Sequence, residues 1–213
     1  MAVQSALTEQ VDVNRRKAER AMKPWLTDQV AGLKAIFDKK KYQAIVGAEW
    51  TPEASKKLRR LIRQDATWKA FLKQSGAFKA KYKEQLRSSL VTGAIAAHEE
   101  AEASVDAADG VELDWTLTAS DLTKVGASDV GGFSKDEIAS TAWAKLTTAL
   151  DSALRTAALK QRNMMAVRTE FNRRADSAVQ MTLSNLARSV GDATTDGFRF
   201  IWNAFANTKV KVA

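Results

Sequence analysis

The sequence contains no cysteine. That absence excludes a disulfide framework, a thiolate metal site and cysteine nucleophilic catalysis. Two prolines and ten glycines in 213 residues are too few for a sandwich or barrel, whose many tight turns consume both, and their scarcity points to helices. His98 is the sole histidine. It opens His98-Glu99-Glu100 but has no second histidine to complete a zinc-binding pair, and a Ser-His-Asp triad would have to use it without any GxSxG nucleophile elbow. Neither GxxxxGK[ST] nor GxGxxG occurs, so no phosphate-cradling loop is present. Glu99, Glu100, Glu102, Asp106, Asp109, Glu112 and Asp114 lack the spacing and glycine of a calcium loop. No cofactor, no metal and no enzymatic activity are expected. No stretch approaches the roughly 18 consecutive apolar residues of a membrane span, and MAVQSALTEQVDVNRRK has no apolar signal-peptide core. The expectation is a soluble, non-exported chain with no membrane span.

Hydrophobic residues make up 45% and charged residues 27% of the chain, an ordinary globular composition at a length that buries a core without staples. The net charge of +8 is unevenly distributed along the chain. Residues 1–97 carry 20 Lys and Arg against 9 Asp and Glu, residues 98–151 carry 3 against 12, and residues 152–213 carry 10 against 4. The acidic, alanine-rich HEEAEASVDAADG near the first boundary reads as a helix end running into a linker. The expected organisation is a basic N-terminal helical unit over 1–97, an acidic hinge and extended connector over 98–132, and a C-terminal helical unit over 133–213.

The expected fold class is all-α, with about six helices and one short extended segment near 111–118. Leu26, Val30, Leu33 and Phe37 form one stripe of an amphipathic helix that ends in Lys39-Lys40-Lys41. Thr51-Pro52-Glu53 reads as a helix start, with Thr51 capping free N–H groups and Pro52 in the first turn. The helix it opens turns Leu58, Leu61 and Ile62 inward. Trp68, Phe71 and Leu72 continue the pattern to Ser75-Gly76, after which Phe78, Tyr82, Leu86 and Leu90 mark a long helix at four-residue spacing. Val111, Leu113, Trp115 and Leu117 alternate strictly with polar residues, as in a strand that pairs within or between chains, or an extended connector. Gly126, Gly131 and Gly132 predict a loop, and Ser134 with Glu137 a capping box that opens a helix bearing Ile138, Leu146, Leu150 and Leu154. A further helix from about Arg162 carries Met165, Phe171, Val179, Leu183, Leu186 and Val190 up to Gly191, before a last short stripe of Phe198, Ile201, Trp202 and Phe205.

Clustered cations bind phosphates by releasing counterions. The candidate nucleic-acid-binding residues are Lys39, Lys40, Lys41, Lys56, Lys57, Arg59, Arg60 and Arg63, with Tyr42, Trp50 and Trp68 near enough to stack on exposed bases. The alternative is that the cations solvate helix faces and the aromatics are core. No helix-turn-helix, zinc-finger or RNA-binding signature is present, so any binding would follow the backbone rather than base sequence.

Gly132-Phe133-Ser134-Lys135-Asp136-Glu137-Ile138-Ala139, then a helix, then Ala166-Val167-Arg168-Thr169-Glu170 with Asn172 and Ala175 nearby, resembles the Mu F-like head morphogenesis proteins of tailed phages. Val167 stands where that family usually has Ala. The resemblance spans roughly residues 131–205. It implies a non-enzymatic structural and assembly protein of the virion, a minor head protein near the portal that works in the host cytoplasm during assembly. Its implied partners are portal or capsid proteins and packaged double-stranded DNA, in a multi-copy or homo-oligomeric assembly, with Arg168, Thr169 and Glu170 at a helix interface. The alternative function is a cytoplasmic helical protein that binds nucleic acid without sequence preference.

Overall fold

The computed structural model describes residues 2–43, 50–106, 111–112, 116–160, 163–206 and 211–212. The regular secondary structure of the described residues is helical apart from one two-residue strand pair, as the low glycine and proline content predicts. The α-helices are α1 (Ala2–Ala35), α2 (Lys40–Gln43), α3 (Pro52–Gln64), α4 (Ala66–Leu72), α5 (Ser75–Asp106), α6 (Ala119–Ala127), α7 (Lys135–Lys160) and α8 (Met164–Ala206). Among the described residues, seven of them are longer than four residues, against the six expected.

The chain divides into two compact units that do not follow chain order: unit 1 gathers 1–20, 80–139 and 186–213, and unit 2 gathers 21–79 and 140–185. Unit 2 holds 20 Lys and Arg against 8 Asp and Glu, a net of +12, whereas unit 1 holds 13 against 17, a net of −4. Folding thus brings the basic residues of two separate segments into one unit.

In unit 1, α5 and α8 approach backbone to backbone. A β-carbon at Gly93 would overlap the Thr194 carbonyl oxygen, and one at Gly197 would overlap that of Leu90. Leu86, Leu90, Ala94, Val190 and Ala193 fill the surrounding core, each fully buried. Asn14 of α1 donates to Thr92 Oγ1 at 2.7 Å and to Thr194 Oγ1 at 3.0 Å, so a buried amide is matched by two hydroxyls. Thr118 and Asp121 form a reciprocal capping box on α6. Lys135 donates to the Ala127 carbonyl at 3.1 Å, where a cation suits a helix C-terminus. Gly131 and Gly132 take φ of 58° and 80°, the left-handed values of a tight two-residue turn between Val130 and Phe133.

Unit 2 has an aromatic core. Phe78 lies 5.2 Å and Phe71 5.1 Å from Trp143, centroid to centroid, and Phe37 packs 4.9 Å from Phe171. The stripe Leu26, Val30, Leu33 and Phe37 is buried as the periodicity predicts. The helix ends sooner than expected: α1 stops at Ala35, a 3₁₀ turn covers Ile36–Asp38, and Lys39 leaves in an extended conformation.

Three expectations need correction. Gly191 does not end a helix, because α8 runs through it with the Arg15 guanidinium lying against the space a side chain would need. Gly126 is not in a loop but in α6, buried against Val91 and Arg87. The extended segment expected over 111–118 is not shown: 113–115 lie outside the described residues, and Thr118 caps α6. Val111–Glu112 pairs antiparallel with Lys211–Val212 over two residues only. His98 is buried and accepts the Leu117 N–H on Nε2 at 3.2 Å.

Candidate nucleic-acid interface

α3 begins as its sequence dictates. Thr51 accepts the Ala54 N–H at 3.1 Å and Pro52 occupies the first turn. Ser55, Leu58 and Ile62 are buried, which turns the intervening cations outward. Lys56, Lys57 and Arg60 are exposed and have no acidic partner among the described residues, and Lys40 of α2 is exposed in the same way.

Three of the other expected binders, Lys39, Lys41 and Arg63, are engaged. Lys39 and Lys41 reach the same carboxylate, Asp65, at 2.6 and 2.9 Å. Asp65 also accepts the Tyr42 hydroxyl at 2.6 Å and caps α4 by accepting the Thr67 N–H at 2.9 Å. Its side chain is 1% exposed. Burial pushes the Asp65 carboxyl up, but the donors from Lys39, Tyr42, Lys41 and Thr67 outweigh it and hold the group far below the usual carboxylate range. Arg63 makes two parallel bonds to Asp151 at 2.7 and 2.6 Å. Arg59 is half-buried, and its Nε–H is enclosed without an acceptor.

Tyr42 and Trp68 are core residues, 2% and 3% exposed, and are not available to stack on bases. Trp50 is half-buried. Asp65 was missed by sequence reasoning; its signal is an acid between two helices within reach of a lysine run, which is visible only once the tertiary contact is known.

The three expected interface residues lie near the start of α8, within unit 2. Arg168 bonds Asp38 at 2.7 Å in a half-exposed pair. Glu170 is held by Arg173 and Arg174 of its own helix, which keep its carboxyl down at about 2. Thr169 is exposed and lines a depression of about 330 Å³ with Asn163, Met165 and Ala166. Met165, expected on an apolar stripe, is 80% exposed. Replacing Arg168 by alanine is expected to cost under about 1 kcal/mol, as exposed pairs do. A larger loss in urea unfolding would mean that the pair does more than decorate the surface.

Among the described residues, no group of histidine, aspartate or glutamate is arranged to hold a metal, and no helix is long and apolar enough to cross a membrane. The chain matches no protein-family model, no curated protein and no solved structure.

Proposed function

We propose that the chain is a non-enzymatic structural protein of a tailed-phage head, placed near the portal, that contacts double-stranded DNA by its phosphates through unit 2. The observation carrying the DNA contact is the exposed, unpaired set Lys56, Lys57 and Arg60 on one face of α3. Five of the unit's eight acids, Asp38, Asp65, Asp151, Glu170 and Asp176, are spent on other cations. A net of +12 in one unit supplies the field that draws a polyanion. No base-reading element accompanies it, so the contact is sequence-independent. The head-protein setting rests on the resemblance over 131–205, and portal or capsid proteins are the partners it implies, in a multi-copy assembly.

A second reading, a cytoplasmic nucleic-acid binder, uses the same α3 cations. It is favoured by the engagement of Arg168 and Glu170 inside unit 2, which leaves less of that triplet for a partner.

The test is binding of the full chain to two duplexes of unrelated sequence, beside the triple variant Lys56→Glu, Lys57→Glu, Arg60→Glu. Equal affinity for both duplexes and a loss of at least about tenfold in the variant are expected. Undiminished binding by the variant would remove α3 from the interface. Portal or capsid proteins that co-purify after nuclease and high-salt washing support the head-protein setting, and their absence leaves the second reading.

A further inference from the structure

The ring of His98 makes a contact that only one of its charge states allows. It lies on α5 within unit 1 and is 9% exposed. Nε2 accepts the Leu117 N–H at 3.2 Å, and Nδ1 stands 3.5 Å from a carboxylate oxygen of Glu102. A ring nitrogen that accepts carries no hydrogen, so the neutral ring bears its proton on Nδ1, towards Glu102. Protonation places an N–H on Nε2 as well, and two donors then face each other where a hydrogen bond stood. The Leu117 contact is therefore made by the neutral ring and lost by the imidazolium, beside which Glu102 supplies a counter-charge.

Leu117 immediately precedes Thr118, the residue that caps α6, so the histidine fixes the point at which the chain enters α6. The far end of α6 is held separately: Lys135 donates to the Ala127 and Ser128 carbonyls, and Gly126 packs against Val91 and Arg87 of α5. Bonds from the Thr118 hydroxyl and N–H hold the Asp121 carboxyl below its usual range, so the capping box stays charged where a histidine titrates. Within unit 1, Tyr82 meets Ser189 and Leu90 lies against Gly197, so α5 and α8 run parallel. Asn14 meets Thr194 and Arg15 meets Ala187, so α1 runs against both. His98 lies about 9 Å along α5 from Thr92, which brings it level with Glu9 of α1 and close to the level of Arg199 of α8. The charged groups that the surrounding elements bring there are Glu9, Glu99, Glu102, Asp121, Lys124 and Arg199. Glu9, Glu99, Lys124 and Arg199 are turned to water, whereas Glu102 stands at the ring itself.

We propose that His98 is a proton-operated latch: neutral, it holds the entry of α6 against α5, and protonated, it lets that entry go while α6 stays helical and anchored at its far end. Histidine is the side chain whose ordinary range places such a change between about pH 5 and pH 8. The latch lies in unit 1, so it stands or falls independently of the DNA contact assigned to unit 2.

A single histidine makes the test direct, because its ring signal in the NMR spectrum of the full chain has no competitor. The ring titration and hydrogen exchange at the Leu117 amide, corrected for the intrinsic rate, are followed from about pH 8 to about pH 5. Protection of Leu117 is expected to fall about tenfold, the worth of one hydrogen bond, with the same midpoint as the ring. Protection of Leu122 to Val125 within α6 should stay constant over that range. In His98→Gln the carboxamide oxygen accepts without titrating, so Leu117 protection should be equal at both ends of the range. Glu102→Gln removes the counter-charge and should move the ring and amide midpoints together to lower pH. If the glutamine variant at position 98 does not fold, coincidence of the two midpoints in the parent and in Glu102→Gln decides alone. A ring that takes no proton above about pH 5, a Leu117 protection that ignores the ring titration, or an equal loss in His98→Gln overturns the latch. Loss of protection throughout α6 overturns it as well, by showing general unfolding in acid.

Discussion

Replacing Gly197 with alanine is expected to lower the melting temperature by about 6 to 12 °C, from a loss of about 3 kcal/mol at about 2 to 4 °C per kcal/mol for a chain this long. Helix propensity alone predicts the opposite sign, since alanine is favoured over glycine inside a helix by about 1 kcal/mol. Close approach decides between them. The new methyl group would overlap the Leu90 carbonyl oxygen, which is backbone of α5 and has no rotamer to escape into. Gly93 meets the Thr194 carbonyl from the other side, so either substitution pushes the same two helices apart. The double variant should therefore cost much less than the sum of the singles. Separation of α5 from α8 would also stretch the Asn14 bonds to Thr92 and Thr194 and strand a buried amide. Thermal and urea unfolding of Gly93→Ala, Gly197→Ala and their combination test this. A melting temperature equal to or above that of the parent would show that the two helices are not in backbone contact.

The second large effect is at Asp65. Asp65→Ala removes the cap of α4 and the acceptor shared by Tyr42, Lys39 and Lys41. The cap contributes about 1 kcal/mol and charge-assisted bonds about 1.5 to 3 kcal/mol, so a loss of about 3 kcal/mol is expected, tempered because both lysines can turn to water. Asp65→Asn keeps an oxygen for the Thr67 N–H and should cost about 1 kcal/mol less. The pH dependence follows from the direction of the shift. The folded protein holds the Asp65 carboxyl well below its unfolded value of about 3.9. This stabilisation is complete above the unfolded value and disappears as pH falls through the folded one. Between about pH 5 and pH 3 the parent should lose stability more steeply than Asp65→Asn. Parallel curves for the two would mean that the carboxylate is not held charged by its neighbours.

The local signals in the sequence translated faithfully. Thr51-Pro52-Glu53 starts α3, Ser134 and Glu137 bond each other's backbone N–H groups at the start of α7, and Phe78, Tyr82, Leu86 and Leu90 are buried along α5. Each depends on groups within a few residues, which is why spacing reveals it. Long-range effects did not show. Gly191 looks like a break until Arg15 is known to lie against it, after which a glycine becomes a point of approach. The lysine run at 39–41 looks uniform, yet its outer members are bound to Asp65 and only Lys40 is left without an acid. Arg59 and Arg63 sit on the same helix with the same sign, but Asp151 satisfies one and not the other. The joining of 21–79 with 140–185 in one basic unit follows from how distant segments assemble, and spacing along the chain does not reveal it.

The most direct measurement of the central claim is the affinity of the full chain for duplex DNA as a function of salt. Each phosphate neutralised contributes about −0.9 to the slope of log affinity against log salt. Contacts from Lys40, Lys56, Lys57 and Arg60 predict a slope of about −3 to −4, equal for unrelated sequences and shallower by about 3 when Lys56, Lys57 and Arg60 are removed. A slope near zero, or one unchanged in that variant, would contradict the account.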